Sequence, residues 1–274
     1  MTGLRAKFLL LNNMGYTFIS GATGGIGKAF AIEIAKKGDS LFITGRSQEK
    51  LSALKNELVE KFGVEVDFFT CDLTSQSSRK QMIEYIDEKD YKFSRIINVA
   101  GVDIQKAFIE YTPQKVLFQT RVNGEAAICL TFDLLNRRED NCELIAISSM
   151  SGATPMPYFA LYSATKAMLT NFFTALHYEL KKKGVKVTTV LPGGVPTRPD
   201  IIESIKKQGV WGKISQKSPE FVAEKSLIAV KKNKLKYIPG FFNKFLNALM
   251  KIAPKRIVYR FIARRWKNQT KDAF

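Results

Sequence analysis

The stretch Ser20-Gly21-Ala22-Thr23-Gly24-Gly25-Ile26-Gly27 decides the predicted fold of this chain. It follows an apolar run, YTFIS at 16–20, and opens an amphipathic segment that extends to residue 37. Glycines let the backbone turn tightly and approach a pyrophosphate, and the N-terminus of the helix that follows offers free N–H groups to the anion. A plain structural turn is the competing interpretation, because glycine-rich turns are common. The strand–turn–helix context favours a dinucleotide-binding turn.

Five more apolar runs follow this turn, and amphipathic segments of helix length separate them. The predicted strands are residues 16–20, 40–44, 64–70, 95–99, 144–148 and 185–191, and the helices after the first are 48–62, 77–87, 113–136 with a break near Asn123, 161–183 and 219–232. Alternating strands and helices are typical of a parallel sheet covered on both faces, and uninterrupted apolar strands fit burial on both sides. The pattern predicts an α/β fold, a doubly wound parallel sheet (Rossmann fold), as a single domain with a C-terminal helical extension.

The composition excludes several other classes of protein. Of the 274 residues, 45% are hydrophobic and 25% are charged, so we expect a large buried core rather than a disordered or collagen-like chain. No run of about 18 apolar residues occurs and the start lacks a signal-peptide cleavage site, so we expect no transmembrane span and a cytoplasmic location. The spacing of Cys71, Cys129 and Cys142 predicts reduced, buried thiols rather than a disulfide framework or a zinc site.

The net charge of +18 is concentrated near the C-terminus, where residues 231–274 contain thirteen Lys or Arg and one acid, Asp272. This tail also contains an apolar stripe and a basic face. The stripe is Phe241, Phe242, Phe245, Leu246 and Leu249, continued by Val258 and Ile262, and the basic face is Arg256, Arg260 and Arg264. Such helices either lie on an anionic membrane surface or pack their stripe against the core or a second subunit. No nucleic-acid motif accompanies the charge, so no nucleic acid partner is predicted.

The second predicted strand ends in Thr44-Gly45-Arg46-Ser47, a position that distinguishes the two nicotinamide dinucleotides. In this fold an acid here binds the ribose 2′-hydroxyl of NAD, whereas an Arg accommodates the 2′-phosphate of NADP. The guanidinium of Arg46 offers paired donors to a phosphate, and Ser47 adds a hydroxyl donor. These residues predict NADP(H), with a solvated Arg in a turn as the competing interpretation.

Tyr162 and Lys166 stand in LYSATKA, residues 161–167, at the start of a predicted helix. Their spacing places both side chains on one helix face, where the ammonium is expected to lower the phenol pKa from its usual value of about 10. Ser148 and Ser149 end the fifth predicted strand, and Ser149 precedes Tyr162 by thirteen residues. Because parallel sheets build their sites at the carboxyl ends of strands, these residues predict an acid–base catalytic group.

The motifs, taken in order, resemble the short-chain dehydrogenase/reductase family. The matching segments are SGATGGIG at 20–27, CDL at 71–73, NVAG at 98–101, Asn123, ISS at 147–149, YSATK at 162–166 and PGGVPT at 192–197. The resemblance covers residues 14–197, and an ordered set is far more specific than any single motif. Two positions depart from the family pattern: Ser20 replaces the usual Thr, and Val99 replaces the second Asn of Asn-Asn-Ala-Gly.

The resemblance implies a role for each matching residue. Tyr162 is expected to be the general acid in carbonyl reduction, or the base in alcohol oxidation, and Lys166 to lower its pKa and bind the nicotinamide ribose. Ser149, preferred to Ser148 on spacing, is expected to hold the substrate oxygen, and Asn123 to anchor a water that links Lys166 to solvent. The expected cofactor contacts are Gly21, Thr23, Gly25, Ile26, Gly27, Arg46, Ser47, Asp72, Leu73, Asn98, Ala100, Gly101, Tyr162, Lys166, Pro192, Gly193, Val195 and Thr197.

The same resemblance divides the chain into three parts. Residues 1–197 are expected to form the dinucleotide-binding and catalytic core, 198–218 the substrate loop, and 219–274 the C-terminal helices with the basic tail. Apolar side chains of the loop predict a lid over a hydrophobic substrate, and they are Ile201, Ile202, Ile205, Val210 and Trp211. Residues that either line the pocket or pack internally are Met150, Met156, Tyr158 and Phe159. His177 is expected to be a packing or surface residue, and no metal site is predicted.

These features predict an NADP(H)-dependent oxidoreductase that interconverts a secondary alcohol and a ketone on a lipophilic substrate, such as a hydroxysteroid or bile acid. A 3-oxoacyl (fatty acyl) reductase is the alternative enzyme, and a non-catalytic NADP-sensing protein is the alternative of another class. A sensor does not require Ser149, Tyr162 and Lys166 together, so their presence favours an enzyme. The family also implies a homodimer or homotetramer paired through the helices at 113–136 and 161–183, and the tail leaves peripheral membrane contact open.

Overall fold

A parallel β-sheet of seven strands forms the centre of the molecule in the computed structural model, which describes residues 15–207 and 209–267. The strands are β1 (Tyr16–Ser20), β2 (Leu41–Gly45), β3 (Val66–Thr70), β4 (Phe93–Asn98), β5 (Arg138–Ile147), β6 (Lys186–Val190) and β7 (Lys236–Tyr237). Their order across the sheet is β3-β2-β1-β4-β5-β6-β7, and every neighbouring pair is parallel. The predicted doubly wound parallel sheet is therefore confirmed.

Helices connect the strands and extend beyond them. They are α1 (Gly25–Ala35), α2 (Gln48–Phe62), α3 (Gln76–Glu88), α4 (Pro113–Thr120), α5 (Ala126–Leu135), α6 (Ala160–Leu180), α7 (Pro199–Lys207), α8 (Gly209–Ser215), α9 (Pro219–Lys231), α10 (Phe241–Ile252) and α11 (Lys255–Trp266). A π-helical segment, Arg121–Glu125, joins α4 to α5 and is the break expected near Asn123. Ser218 caps α9 by accepting a hydrogen bond from the Phe221 amide, 3.2 Å away.

Two differences from the sequence-based expectation concern the strands. β7 has only two residues, Lys236 and Tyr237, and pairs with β6 at the edge of the sheet. A polar two-residue strand has no apolar run, so hydrophobic patterning does not detect it. β5 begins at Arg138 rather than Leu144, because Arg138 pairs with Phe93 of β4 before the register shifts and pairing resumes at Glu143.

Two hydrophobic cores lie on opposite faces of the sheet, because successive strand residues point to opposite sides. Ile19 and Ile43 enter the core that α1, α2 and α9 cover, whereas Phe18 and Phe42 enter the core that α3, α5 and α6 cover. Fully or almost fully buried helix residues in the first core are Phe30, Ile34, Leu51, Leu58, Val222 and Leu227. Those in the second are Met82, Ile86, Leu130, Leu134, Leu169 and Phe173. Strands such as β1, β2 and β6 are thus buried on both faces, as their composition predicts, whereas the edge strands β3 and β7 are only partly buried.

The strand order reverses between β1 and β4, and the glycine-rich turn follows β1 at this point. Gly21 has a φ of 66°, a left-handed conformation that glycine adopts without strain. A Cβ atom on Gly27 would collide with the carbonyl oxygen of Gly21, so the turn closes only with glycine there. Sheets of this kind bind ligands in the crevice where the strand order reverses. The fold therefore places the predicted dinucleotide turn at the expected ligand-binding crevice.

The C-terminal helices lie partly against the core. Val258 and Ile262 of α11 are buried, as the packing interpretation of the tail predicts. Asn243 of α10 is buried and donates hydrogen bonds to the carbonyl oxygens of Ser215 and Pro239, each 2.8 Å away. Among the described residues, no helix is both long and apolar enough to cross a membrane.

Candidate active site

Hydrogen bonds connect the glycine-rich turn to the segment that follows β4. The Ser20 hydroxyl accepts hydrogen bonds from the backbone amides of Val99 and Ala100, at 3.1 and 3.3 Å. A Cβ on Gly21 would lie only 2.9 Å from the Cα of Ala100. Ser20 therefore retains the hydroxyl of the usual family Thr, and uses it to hold the two strand ends together. The change at Val99 leaves this backbone connection intact.

The opposite side of the turn contacts the segment after β6. A Cβ on Gly25 would lie 2.7 Å from Cγ2 of Thr197, so Thr197 is packed against the first turn of α1. The carbonyl oxygen of Pro192 accepts a hydrogen bond from the Met150 amide at 3.0 Å, and Val195 is buried. The structure thus brings the PGGVPT segment and the glycine-rich turn, two of the predicted cofactor-contacting segments, to one crevice.

Asp72, one of the expected cofactor contacts, holds the loop that follows β3 in shape. Asp72 accepts hydrogen bonds from the amide and the hydroxyl of Thr74, at 2.9 and 2.8 Å. Leu73 is buried, and its carbonyl oxygen accepts a hydrogen bond from Arg79. This loop follows β3, next to β2, so it belongs to the Arg46 end of the crevice.

Arg46 stands at the end of β2 and faces α4. Its guanidinium carbon lies 5.8 Å from the centroid of the Phe118 ring, within cation–π range. A cavity of about 320 Å³ is lined by Arg46, Gln114, Lys115 and Phe118. Ser47 caps α2 by accepting a hydrogen bond from the Lys50 amide at 3.3 Å. Two cationic side chains therefore line one cavity, and sequence reasoning identified only Arg46 because Lys115 belongs to a distant helix.

Tyr162 and Lys166 occupy the first turns of α6, on one face of the helix. The Nζ atom of Lys166 lies 5.7 Å from the centroid of the Tyr162 ring and donates a hydrogen bond to the carbonyl oxygen of Ile147 at 2.9 Å. Lys166 is almost fully buried, with 3% of its surface exposed. The bond to Ile147 fixes the ammonium at the carboxyl end of β5, so the lysine cannot move freely into solvent.

The two serines at the end of β5 have different environments. Ser148 is buried and donates a hydrogen bond to the carbonyl oxygen of Lys166 at 2.8 Å, and its hydroxyl also contacts that of Thr170. Ser149 hydrogen-bonds with the Tyr162 side chain instead. The structure therefore gives Ser148 a packing role and places Ser149 beside the phenol, the arrangement that spacing favoured.

Asn123 lies in the π-helical segment and is fully buried. Its Oδ1 atom accepts a hydrogen bond from the Val102 amide at 2.7 Å, and its Nδ2 atom donates to the Val102 carbonyl at 2.9 Å and to Thr165 Oγ1 at 3.1 Å. A Cβ on Gly101 would lie 3.2 Å from Lys166 Nζ and 3.3 Å from Asn123 Oδ1. Asn123 thus ties the loop after β4 to α6, and Gly101 leaves room between the two polar groups.

Burial dominates the pKa values of Lys166 and Tyr162. Burial lowers the pKa of Lys166 to about 8, opposed by the charge of Asp103. Burial also raises the pKa of the Tyr162 phenol above its usual range, and Asp103 adds to this increase, whereas Ser149 and Arg198 act in the opposite direction. Burial thus raises the phenol pKa overall, because desolvation of the phenolate dominates, and the expected lowering of this pKa by Lys166 stays a prediction. A neutral phenol is the form that donates a proton to a carbonyl oxygen.

An ion pair that sequence reasoning missed lies beside this group. Nη2 of Arg198, the residue before α7, lies 2.8 Å from Asp103 in the loop after β4, and Arg198 also pairs with Asp200 through its Nε atom at 3.0 Å. Asp103 and Arg198 influence the phenol of Tyr162 with opposite signs. The only available signal was their position, directly after the NVAG and PGGVPT motifs.

Aromatic rings form one wall beside the phenol. The Phe159 ring stacks on the Tyr162 ring, with centroids 4.2 Å apart and an interplanar angle of 12°. On its other side Phe159 lies against the indole of Trp266 in α11, with centroids 6.1 Å apart. Tyr158 has a φ of 63°, an uncommon conformation that sets the direction in which Phe159 leaves the backbone. Phe159 therefore faces Tyr162, and the end of α11 reaches the candidate site.

Of the apolar residues that were predicted to form a lid, only some are buried. Ile205 is buried and packs against Gly194, where a Cβ would lie 3.2 Å from its side chain. Ile201 is half-buried, whereas Ile202 and Val210 are exposed. The side chain of Trp211 lies outside the described part of the structure. The assignment of 198–218 as a substrate lid thus stays a prediction.

Other candidate features lie apart from this group. A cavity of about 620 Å³ between α8 and the start of α10 is lined by Lys213, Lys217, Phe221 and others, and these are not the predicted catalytic residues. His177 is buried and its Nδ1 atom lies 2.7 Å from the carbonyl oxygen of Val187, consistent with a packing role. Within residues 15–207 and 209–267, no cluster of His, Cys, Asp or Glu has the composition of a metal site.

Comparison with known proteins agrees with this arrangement. The sequence profile described as short chain dehydrogenase matches residues 16–206. The chain is 32% identical over 209 residues to the very-long-chain 3-oxoacyl-CoA reductase of Bos taurus, with 73% of this chain and 64% of that protein covered. It is also 32% identical over 188 residues to the inactive hydroxysteroid dehydrogenase-like protein 1 of Homo sapiens, with 66% and 56% covered. Each match therefore spans less than two thirds of the relative's length.

A solved structure has the same fold. It is a short-chain dehydrogenase from Sphingobium yanoikuyae in complex with NADPH, with a TM-score of 0.72, 22% identity, and coverage of 95% of this chain and 100% of that chain. The chain thus belongs to the short-chain dehydrogenase family. The predicted Rossmann fold and the predicted family are therefore confirmed.

Proposed function

We propose that this protein is an NADP(H)-dependent oxidoreductase that interconverts a secondary alcohol and a ketone on a lipophilic substrate. The observation that carries the proposal is the position of Ser149, Tyr162 and Lys166, which meet at the carboxyl end of β5 beside the crevice of the glycine-rich turn. A hydroxyl, a phenol and a buried ammonium grouped in this way can bind a carbonyl oxygen and supply it with a proton.

The crevice fits a dinucleotide on three grounds. Gly21, Gly25 and Gly27 let the turn close tightly, because a Cβ atom on any of them would meet other protein atoms within 2.9 Å. The N-terminus of α1 can then offer its backbone N–H groups to a phosphate. Arg46 and Lys115 line one cavity and provide two positive charges for a 2′-phosphate. The Oδ1 atom of Asn98 is buried and lacks a hydrogen-bond partner among the described residues, so the crevice offers an acceptor. When bound, NADPH supplies the hydride for the carbonyl carbon.

The protein side chains then handle the substrate oxygen and its proton. Ser149 positions the carbonyl oxygen by hydrogen bonding, and neutral Tyr162 donates its proton as negative charge develops on that oxygen. Lys166 stabilises the phenolate that remains, since an ammonium close to an anion lowers its energy in a buried site. Asn123 holds the loop after β4 against α6 and so keeps Lys166 and Gly101 in position. Alcohol oxidation is the reverse of these steps.

The wall of the site favours an apolar substrate. Phe159 lies between the rings of Tyr162 and Trp266, and these aromatic side chains give the surroundings of the phenol an apolar character that suits a hydroxysteroid or bile acid. A long-chain 3-oxoacyl thioester is the second candidate, and the relative named very-long-chain 3-oxoacyl-CoA reductase supports it. Both substrates contain a carbonyl next to apolar carbon, and both meet the requirements of the site.

A non-catalytic NADP-sensing protein is the candidate of another class, and one relative is named inactive. In this chain Ser149, Tyr162 and Lys166 are all present and in mutual proximity, which supports an enzyme. The test is to assay a panel of ketosteroids and 3-oxoacyl thioesters as substrates and to measure the turnover of each one as a loss of NADPH absorbance. Turnover of either class supports the proposal and identifies the substrate. NADPH binding without turnover of any ketone in the panel would favour the sensor.

We also propose a homodimer or homotetramer. Large apolar residues are exposed on α4, α5 and α6, the helices through which the family is expected to pair, and they are Leu117, Phe132, Met168 and Tyr178. Such exposed residues are typical of subunit interfaces. The location that we propose is the cytoplasm, with peripheral association at a membrane surface where a lipophilic substrate would be found.

A further inference from the structure

The outward face of α10 is apolar although it is exposed. Phe241 and Ile252 each retain 85% of their accessible surface, and Phe245 and Leu249 are also exposed. With 3.6 residues per turn, these four side chains fall within an arc of about 80° on one side of the helix. Asn243 points the other way, because it is buried and bonded to the carbonyl oxygens of Ser215 and Pro239. The protein therefore fixes the rotation of α10 so that its large apolar residues face outward.

Helix α11 repeats this arrangement. Ile257 and Phe261 are exposed, whereas Val258 and Ile262 are buried against the rest of the molecule. The apolar residues of α11 therefore divide between two faces, and only one face serves the internal packing. The exposed apolar residues of the two helices define a surface that we call the tail face: Phe241, Phe245, Leu249, Ile252, Ile257 and Phe261.

Positive charges flank the tail face. On α10, Lys244 and Lys251 are exposed beside the apolar arc. On α11, an exposed row of cations runs beside Ile257 and Phe261, and it consists of Arg256, Arg260, Arg264 and Lys267. Residues 241–267 contain eight Lys or Arg and no Asp or Glu. An apolar centre with a purely cationic flank is the arrangement of helices that lie in the interface of an anionic bilayer.

We propose that the tail face docks on an anionic lipid surface, with Phe241, Phe245 and Ile252 entering the acyl boundary and the flanking cations contacting lipid phosphates. A second copy of this chain is a poorer occupant, since a two-fold contact through the same face would oppose two clusters of cations without any acid from residues 241–267. Packing on the core is satisfied by Val258 and Ile262 on the other side of α11.

The tail face is connected to the candidate active site through Trp266. Trp266 ends α11 and lies against Phe159, whose other side stacks on Tyr162. The helix that we place on the lipid surface thus forms part of the wall of the site. If the proposed function holds, a lipophilic substrate dissolved in the bilayer reaches a wall that the membrane-bound helix itself provides. The docking depends on the exposed side chains alone, so it can be tested without any substrate.

The test is co-sedimentation of the full chain with vesicles of phosphatidylcholine alone, or with phosphatidylserine added. We expect wild-type binding at least tenfold tighter to the anionic vesicles, and weaker binding as salt is raised. The variant Phe241→Ser/Ile252→Ser removes apolar contacts and should lose at least tenfold in affinity. Its matched control is Ile109→Ser/Ile228→Ser, which alters two exposed isoleucines elsewhere and should bind like the wild type.

A second pair of variants tests the charges. Arg256→Gln/Arg260→Gln/Arg264→Gln should lose most binding to anionic vesicles, whereas Lys181→Gln/Lys182→Gln/Lys183→Gln removes three exposed cations elsewhere and should retain it. Equal losses in both triple variants would overturn the proposal, because net charge alone would then explain the binding. A wild-type protein that stays in the supernatant would also overturn it.

The oligomeric state and the activity separate the remaining outcomes. If Phe241→Ser/Ile252→Ser dissociates an oligomer in light scattering and the wild type ignores vesicles, the tail face is a contact between copies and the membrane proposal is wrong. If the wild type binds anionic vesicles but reduces no ketone, the proposed function fails and the docking stands. Retained circular dichroism and melting temperature show that each variant is folded.

Discussion

The ring of Phe159 stacks on the ring of Tyr162, with centroids 4.2 Å apart and an interplanar angle of 12°. This contact fixes the plane of the phenol from one side, while Ser149 meets its side chain through a hydrogen bond. Trp266 continues the stack beyond Phe159 and brings the C-terminal helix to the site. The orientation of the proposed proton donor therefore depends on a residue more than a hundred positions away in the chain.

Replacing the indole at the end of α11 tests this dependence. Trp266→Ala should raise the KM for a lipophilic ketone several-fold and leave the Kd for NADPH nearly unchanged, because the indole contacts the substrate wall and lies outside the dinucleotide-binding segments. Trp266→Phe should restore most of the loss, since it keeps an aromatic face. Steady-state kinetics and cofactor titration provide both values. Equal weakening of ketone and NADPH binding by Trp266→Ala would contradict a local role.

Removing the phenolic hydroxyl tests the proposed acid. Tyr162→Phe keeps the ring that stacks on Phe159 but cannot donate a proton, so turnover should fall by about 10²–10⁴-fold. NADPH binding, measured by fluorescence titration, should change by less than about twofold, because the glycine-rich turn is untouched. Tyr178→Phe is the control, since Tyr178 is exposed on the same helix. Turnover close to that of the wild type would exclude Tyr162 as the acid.

The cavity beside Arg46 makes a prediction about cofactor selectivity. Arg46→Asp and Lys115→Gln should each raise the KM for NADPH by about 10-fold or more, because a charged hydrogen bond is worth roughly 1.5–3 kcal/mol. The KM for NADH should change little in Lys115→Gln, since NADH lacks the 2′-phosphate. It should fall in Arg46→Asp, where the new carboxylate can bind the ribose 2′-hydroxyl. Lys50→Gln, which alters an exposed lysine of α2, is the matched control. A wild-type protein that uses NADH better than NADPH would refute this account of Arg46.

The buried ammonium predicts a dependence of stability on pH. Burial lowers the pKa of Lys166 from 10.5 to about 8, so between these values the unfolded chain holds more protons than the folded protein. The free energy of unfolding should therefore rise with pH across this window, and below pH 8 the folded state carries the cost of the buried charge. Lys166→Met removes the titrating amine, and so removes both the rise in stability with pH and the cost of the buried charge.

Urea unfolding of the wild type and of Lys166→Met between pH 7 and pH 10 measures this dependence. The wild type should gain stability relative to the variant as the pH rises, and the difference cancels groups that titrate equally in both proteins. A difference that stays constant from pH 7 to pH 10 would show that the folded state does not shift this lysine. If the wild type instead loses stability relative to the variant as the pH rises, the pKa of Lys166 is raised in the folded state rather than lowered.

Local sequence patterns were sufficient to predict the main strands and helices of the fold. The glycine-rich turn between β1 and α1, the six apolar strands and the Tyr162–Lys166 spacing all involve residues close in sequence, and such patterns follow directly from backbone geometry and helix periodicity. The break in the helix near Asn123 was predicted from its motif and is a π-helical segment. The strand β7 was missed, because two polar residues become a strand only when β6 offers them backbone partners.

The detail of the site depends on contacts between distant segments. Lys115 and Arg46 come from separate elements, as do Asp103 and Arg198, and only the folded chain brings the members of each pair together. The tail contained both an apolar stripe and a basic face in the sequence, but packing decided that Val258 and Ile262 face inward while Phe241 and Phe245 face outward.

The sequence by itself determined the class of fold and the position of the glycine-rich turn, and it predicted the acid–base residues, because all of these depend on short-range spacing. Tertiary structure decided the direction of the Tyr162 pKa shift and the residue that covers the phenol, because desolvation and stacking depend on which distant groups exclude water from the site.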